Sequence, residues 1–160
     1  MKKNLLFLAM FITSSICVNA QWVTENTAFT TASRGIRNIS IINANTIWVS
    51  TYNGAGSGKA SHDFSRTING GTTWLADSIK TVPAMPSANT ISNICAIGQD
   101  TAWACMYGNN TTTGGGIYYT TNGGVTWTNQ TTAAFNVSSF PDFVYFYDKN
   151  NGIAFGDPNT

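Results

Sequence analysis

The acidic side chains are the residues that could carry catalysis, because two carboxylates at a fixed separation can hydrolyse a glycosidic bond. Lys and Arg total eight residues, and Asp and Glu total seven. The acidic residues are spread along the chain: Asp63, Asp77, Asp100, Asp142, Asp148, Asp157 and Glu25. No motif or spacing brings any two of them together. The sequence therefore predicts no catalytic residue.

Metal, cofactor and nucleic-acid sites are equally unsupported by the residues. His62 is the single histidine, and no cluster of metal-ligating residues surrounds it. No glycine-rich stretch follows a strand and opens a helix, as a phosphate-binding loop requires. The formal net charge is +1, and the basic residues form no patch that could neutralise phosphates. We predict no metal, no cofactor and no nucleic-acid partner.

Cys95 and Cys105 are the one pair of side chains whose mutual chemistry matters. An even pair of cysteines in an exported chain is a candidate disulfide. Their surroundings resemble facing strands of one hairpin, so a bridge is geometrically possible. The alternative is two buried free thiols that pack as small apolar residues. Both readings stay open at this point.

Residues 1–20 have the pattern of a signal peptide. Lys2 and Lys3 are followed by an apolar run over 5–12 and by a small-residue cleavage site at 18–20. The apolar run is too short to span a membrane. A lipid-bearing Cys17 is the alternative, although such signals prefer a smaller residue before the cysteine. We expect cleavage after residue 20, no integral membrane segment afterwards, and a secreted, periplasmic or cell-surface location in a bacterium.

One octapeptide occurs twice and reveals the architecture. Residues 67–74 and 120–127 both read Thr-x-Asn-Gly-Gly-x-Thr-Trp, and they lie 53 residues apart. A period of this length indicates a repeat fold. Trp22 stands 52 residues before Trp74, which suggests that the mature chain opens with the last strand of a repeat.

Hairpin signals fill the space between the octapeptides. Only 9% of the residues are charged, against about a quarter in typical domains, and Thr, Asn, Gly and Ser take the polar positions. Alternating apolar runs bounded by Asn, Asp and Gly predict antiparallel strands. Four short strands in each repeat correspond to one propeller blade. We predict an all-β partial propeller over 21–160, with a closing strand at 21–27, blade 1 at 36–79, blade 2 at 91–131 and the start of blade 3 at 142–160.

The octapeptide resembles the Asp-box, or BNR, repeat. The matching residues are Thr67, Asn69, Gly71, Thr73 and Trp74, together with Thr120, Asn122, Gly124, Thr126 and Trp127. The wider pattern looks most like the photosystem II assembly-factor type of propeller, and it is more distantly similar to sortilin-type, sialidase and xyloglucanase propellers. The three arginines do not reproduce a sialidase site, because Arg66 adjoins an octapeptide and 33–36 lacks the family's Arg-Ile-Pro signature.

The chemistry of the octapeptide is structural. Asn-Gly-Gly supplies the positive φ that a tight turn needs, while Asn and Thr side chains satisfy turn amides. The Trp is an apolar plug between blades. Ligands are therefore expected on the opposite rim, where a protein or a carbohydrate could bind. The loops of that rim are 28–34, 53–62, 82–90, 108–115 and the one that starts at 157.

Two and a half blades do not close a ring, and open edges are a liability. We therefore expect the N-terminal part of a longer protein, which acts as a secreted non-catalytic scaffold. The alternative is the N-terminal portion of a secreted sialidase-like or xyloglucanase-like hydrolase, with catalytic residues mostly outside this chain. A third possibility is a cell-surface protein with a C-terminal type IX sorting module.

Overall fold

A computed structural model describes residues 22–57, 59–81, 88–108, 115–135 and 139–157. The predicted signal peptide lies outside these residues. The described chain forms ten β-strands and no helix. It accordingly contains no helix that could cross a membrane.

The strands form three antiparallel sheets, which we call blades 1, 2 and 3. Blades 1 and 2 have four strands each, blade 3 has two, and the strand order within each sheet follows the chain. The strands are β1 Arg34–Ile41, β2 Ile47–Asn53, β3 Asp63–Thr67, β4 Leu75–Ser78, β5 Asn89–Ala96, β6 Ala102–Gly108, β7 Gly116–Thr120, β8 Thr128–Asn129, β9 Phe140–Phe146 and β10 Gly152–Asp157. The prediction of an all-β protein with four-stranded antiparallel blades is confirmed.

The three blades begin with the same hairpin. The amides of Ile42, Ile97 and Tyr147 each donate to a carbonyl four residues later, at 3.0, 3.0 and 2.9 Å. These bonds align the blades at offsets of 55 and 50 residues. Asparagine side chains support the first turn, where Asn43 Oδ1 accepts the amides of Asn45 and Thr46 at 2.8 and 2.9 Å.

Two apolar cores lie between neighbouring blades. Trp48 and Phe64 of blade 1 pack with Ile94 and Trp127 of blade 2 in the first core. The second core joins blades 2 and 3, where Trp103 stacks on Phe146 with ring centroids 3.7 Å apart. Blade 2 therefore has one face towards blade 1 and the other towards blade 3.

The outward faces of the terminal blades keep the same apolar character. Ile39 of blade 1 is 60% exposed, whereas its equivalent in blade 2, Ile94, is 3% exposed. On the far side, Tyr145 and Phe155 of blade 3 are 46% and 60% exposed. Both faces thus have the composition of a blade interface without a covering sheet in the described chain.

The strand predicted at 21–27 is not formed within 22–27. These residues have no strand conformation and are largely exposed, because a strand requires a hydrogen-bonded neighbour and no described strand pairs with them. One polar contact ties the segment to blade 1, since Trp74 Nε1 donates to Glu25 Oε2 at 3.3 Å. The proposed closing role of this segment remains a prediction.

Candidate functional site

The first octapeptide is a tight turn whose polar groups bond to one another. Thr67 Oγ1 accepts the amides of Asn69 and Gly71 at 3.3 and 2.9 Å. Asn69 Oδ1 accepts the Thr73 amide at 2.9 Å, and Asn69 Nδ2 donates to Thr73 Oγ1 at 2.9 Å. Gly70 and Gly71 have φ of +67° and +88°, a region that side chains rarely adopt.

The second octapeptide repeats this arrangement almost atom for atom. Thr120 Oγ1 accepts the amides of Asn122 and Gly124 at 3.3 and 3.0 Å. Asn122 Oδ1 accepts the Thr126 amide at 3.0 Å, and Asn122 Nδ2 donates to Thr126 Oγ1 at 2.9 Å. The functional groups of both turns are therefore engaged within the turn, which leaves little capacity for a ligand.

The two octapeptide tryptophans differ in what covers them. Trp127 is 2% exposed and packs edge-on against Trp48 and Phe64, with centroids 6.5 and 5.5 Å away. Trp74 is only half-buried and faces outward from blade 1. The difference follows from position, because Trp127 meets a preceding blade and Trp74 has none in the described chain.

Arg66 joins blade 1 to the second octapeptide. Its Nε donates to Gly123 O at 3.0 Å, and its Nη1 donates to Gln99 O at 2.9 Å. The guanidinium also lies 5.5 Å from the Trp48 ring centroid, a cation–π distance. Sequence reasoning missed this role, because both carbonyl partners belong to the next blade. Arg66 is thus an inter-blade contact.

The cysteines lie on the face of blade 2 that meets blade 3. Cys95 and Cys105 are buried, and both are free thiols. The strand register places Cys105 opposite Asn93 and Cys95 opposite Trp103, so the two cysteines are not directly facing residues of the hairpin. The structure thus holds the free-thiol alternative and does not contain the possible disulfide. Burial, followed by the charge of Asp142, raises the pKa of Cys105 to about 12.

The first strand of every blade carries a β-bulge in the half nearer the rim opposite the octapeptide turns. The register shifts at Arg37 in β1, at Ser92 in β5 and at Asp142 in β9. A bulge turns the extra residue away from the regular alternation, which is how bulges re-aim side chains near functional sites. We call these three residues the bulge row.

The first two residues of the bulge row donate hydrogen bonds to the next blade, and the third, Asp142, does not. Arg37 Nη1 donates to Ile91 O at 3.3 Å, and Ser92 Oγ donates to Pro141 O. Each of these residues thus reaches the carbonyl preceding the bulge of the next blade. Asp142 cannot do the same, because a carboxylate only accepts.

Aromatic rings extend the row. Tyr107 stacks on Phe140 with centroids 4.1 Å apart, and Arg37 Nη1 lies 3.3 Å from Tyr107 Oη. A cation, two aromatic rings and an exposed carboxylate are thereby placed along three successive blades. The alternation of apolar and polar residues in the sequence did not predict this surface. A bulge adds one residue to a strand, and the residue types around it remain those of an ordinary strand.

The predicted rim loops are only partly described. Residues 28–34 and 53–57 adjoin the start of β1 and the end of β2, at the rim opposite the octapeptides, and Gly54 N donates to Ser33 O at 2.7 Å. Most of 82–90 and 108–115 falls outside the described residues, as does the chain after 157. His62 lies in the second-to-third connection of blade 1, with Nδ1 3.3 Å from Asn89 O. The described residues contain no group of three or more potential metal ligands.

Several carboxylates have structural partners. Asp63 pairs with Arg34 and accepts the Ser78 hydroxyl at 2.6 Å. Asp77 is 2.7 Å from Lys80 Nζ. The Asn151 side chain and the Asn150 amide hold the pKa of Asp148 below its usual value. These contacts give the three carboxylates a structural role, because each one bonds to groups of its own turn or of neighbouring strands.

Comparisons with known proteins identify the architecture. No protein-family model matches the sequence, and no curated protein is significantly similar to it. Among solved structures, YCF48 from Cyanidioschyzon merolae is 19% identical, with a TM-score of 0.50 over 79% of this chain and 36% of its own. YCF48 bound to D1 peptide is 15% identical, with a TM-score of 0.53 over 78% of this chain and 35% of its own.

YCF48 is a photosystem II assembly factor with a β-propeller fold. The likeness therefore confirms a partial propeller and agrees, for the fold, with the resemblance to photosystem II assembly-factor propellers. The chain spans about a third of the length of the solved structures it matches. The more specific assignment of the octapeptides to the Asp-box type is not tested by this likeness.

Proposed function

We propose that this chain is a non-catalytic propeller scaffold that binds a protein partner at the rim carrying the bulge row. One observation carries the proposal: bulges at equivalent positions in three blades leave Arg37 and Asp142 exposed, with half-buried Ser92 between them, in the strand halves nearer that rim. The octapeptide turns at the other end of the blades use their polar groups internally. Rigid strands with re-aimed side chains at one end are a suitable support for recognition.

The chemistry of the rim is suited to a peptide ligand. An arginine, stacked aromatic rings and a carboxylate are residue types that protein interfaces use as anchors and as complementary charges. The existence of YCF48 in a complex with D1 peptide supports a protein ligand for this propeller type. A carbohydrate is the other ligand class that the sequence leaves open.

We also propose that the chain is the N-terminal part of a longer exported propeller, and that its octapeptides are Asp-box turns. Exposed Ile39 on one outer face and exposed Phe155 on the other support further blades, because buried equivalents of such positions form the internal interfaces. The signal-peptide pattern of residues 1–20 supports export.

The test uses the purified chain against an array of overlapping short peptides and an array of glycans. We expect peptide binding that weakens about tenfold, or about 1.4 kcal/mol, in Arg37→Glu. Asp142→Arg should change the residue preferred at the peptide position next to it from basic to acidic. Thr72→Glu, an exposed change in the first octapeptide, is the matched control and should leave binding unchanged.

Two results would overturn this function. One is binding to glycans alone, and the other is peptide binding that ignores both rim substitutions. Turnover of sialosides or β-glucans by the chain would instead favour the hydrolase alternative.

A further inference from the structure

A groove of about 350 Å³ lies between blade 2 and β10. Its wall on one side is Ile117 of β7 with Thr132 and Ala133, which follow β8. On the other side blade 3 contributes Phe146, Ile153 and Ala154. The groove is outside the bulge row and contains none of the residues assigned to that rim.

The same position between blades 1 and 2 is filled by a tryptophan. Trp127 packs on Phe64 at 5.5 Å and clusters with buried Ile79. Its amide donates to Lys80 O at 3.0 Å, so the chain entering this site also pairs with the backbone of blade 1. We call this filled position the tryptophan socket.

Three residues that line the groove occupy the positions, one repeat later in the sequence, of residues that form the tryptophan socket. Adding 53 to Phe64, Ile79 and Lys80 gives 117, 132 and 133, all of which line the groove. Residues that hold a tryptophan in one interface therefore surround an open space in the next.

The neighbouring strand edge is open as well. In blade 2, β6 pairs with β5 on one side and with β7 on the other. Its equivalent in blade 3 is β10, which pairs with β9 and has no partner on its other edge in the described chain. An unpaired edge offers a row of backbone donors and acceptors to an added strand.

We infer that the β10 edge and the groove together receive a third Trp-bearing hairpin, carried by the same polypeptide beyond residue 157. The hairpin would have the Thr-x-Asn-Gly-Gly-x-Thr-Trp chemistry. Its first strand pairs with β10 and its tryptophan fills the groove. This inference rests on the proposal that the chain belongs to a longer propeller. A cis source is favoured because in blades 1 and 2 the second strand leads to the hairpin within the chain, and each hairpin already belongs to its own blade.

A peptide probe tests the inference. The probe is a fluorescein-labelled synthetic peptide of residues 115–132, which is this chain's own β7–β8 hairpin. We expect saturable binding to the purified chain in fluorescence anisotropy. A probe with Trp127→Ala should bind at least about tenfold more weakly, because the plug is missing.

Two protein variants locate the binding. Ala133→Trp fills the groove from its wall and should abolish binding of the probe. Thr131→Trp adds the same side chain at an exposed position that does not line the groove, and it should leave binding intact. Arg37→Glu should also leave probe binding intact, which separates this result from success or failure of the rim proposal.

Three outcomes would overturn the inference. The first is no saturable binding, and the second is binding that survives both Trp127→Ala in the probe and Ala133→Trp in the protein. The third is a dimer of the chain that Ala133→Trp dissociates, since this would assign the groove to a second copy.

Discussion

The hydroxyl of Thr120 organises the second octapeptide through three hydrogen bonds. It accepts two turn amides and donates to Asn122 Oδ1 at 2.9 Å, and Thr120 is 1% exposed. Removing a buried hydroxyl leaves its former partners unsatisfied, at about 1–3 kcal/mol.

We predict that Thr120→Ala lowers the free energy of unfolding by about 1–3 kcal/mol. Chemical denaturation followed by tryptophan fluorescence measures the change. Thr121→Ala removes an exposed hydroxyl one residue away and serves as the control, with an expected change within about 0.5 kcal/mol. Equal effects of the two substitutions would contradict the organising role of Thr120.

The raised pKa of Cys105 gives a stability that depends on pH. Its folded pKa is about 12, against an ordinary value of 9.0, because burial disfavours the thiolate. The folded state therefore keeps its proton between these values while the unfolded chain loses it. The contribution is complete below pH 9.0 and is lost as the pH rises towards 12.

We predict that the unfolding free energy of the wild type falls more steeply between pH 8 and pH 10 than that of Cys105→Ala. The extra loss should be about 1 kcal/mol at pH 10, following the ionisation of one thiol in the unfolded chain. Denaturant titrations at both pH values measure it. Parallel pH profiles for the two proteins would show that Cys105 does not titrate this way.

At the scale of elements, equivalent tryptophans provide a matched comparison. Trp127 is buried in the socket between blades, whereas Trp74 is half-buried on the outer face of blade 1. We predict that Trp127→Ala costs about 3–5 kcal/mol, as expected for a buried large aromatic. Trp74→Ala should cost clearly less, because less surface returns to water.

Thermal and chemical denaturation of the two variants measure this difference. If the two variants lose similar amounts of unfolding free energy, burial between blades does not determine how much each tryptophan stabilises the protein. Phe64→Leu offers a third point, since it weakens the wall of the socket while leaving the octapeptide intact.

The strands could be predicted from the sequence because alternation and turn residues are local signals. The alternating runs from Ile36 to Trp48 and at the equivalent repeat positions predicted the hairpins. The octapeptides predicted the tight turns. The role of Arg66 could not be predicted, because its partners Gln99 and Gly123 belong to another blade. The strand at 21–27 was predicted from the spacing between Trp22 and Trp74, and spacing does not supply the partner that a strand needs.

The bulge row escaped prediction for a different reason. A bulge adds one residue to a strand, and the sequence on either side still reads as an ordinary alternating run. Only the observed register distinguishes Arg37, Ser92 and Asp142 from neighbouring strand residues. The rim itself was predictable from strand direction, whereas the side chains that mark it were not.

At the scale of the whole molecule, the outer face of blade 3 exposes a set of large apolar side chains. Phe143, Tyr145, Tyr147, Ile153 and Phe155 are 42–66% exposed. Contiguous apolar patches of this kind usually mark interaction surfaces. An isolated chain with this face uncovered should therefore associate at high concentration.

We predict that Phe155→Glu weakens this self-association with little change in the melting temperature, because Phe155 is 60% exposed. Sedimentation velocity across a concentration series measures the association. Val144→Asp is the contrasting variant: Val144 is 1% exposed in the core between blades 2 and 3, so a charge there should unfold that region. Unchanged association in Phe155→Glu would exclude this face as its cause.

Because the strands of each blade follow one another in the sequence, the blades are completed one after another during synthesis. Trp48 is made 79 residues before Trp127, the side chain that covers it. At ribosomal rates of about 5–20 residues per second, this interval lasts roughly 4–16 s. Blade 1 has all four strands only once Ser78 is made, 49 residues before Trp127. For the remaining time, roughly 2–10 s, its large aromatic face is open to water. Ribosome pausing or chaperone binding in this window would act on a blade that is already formed and still lacks its neighbour.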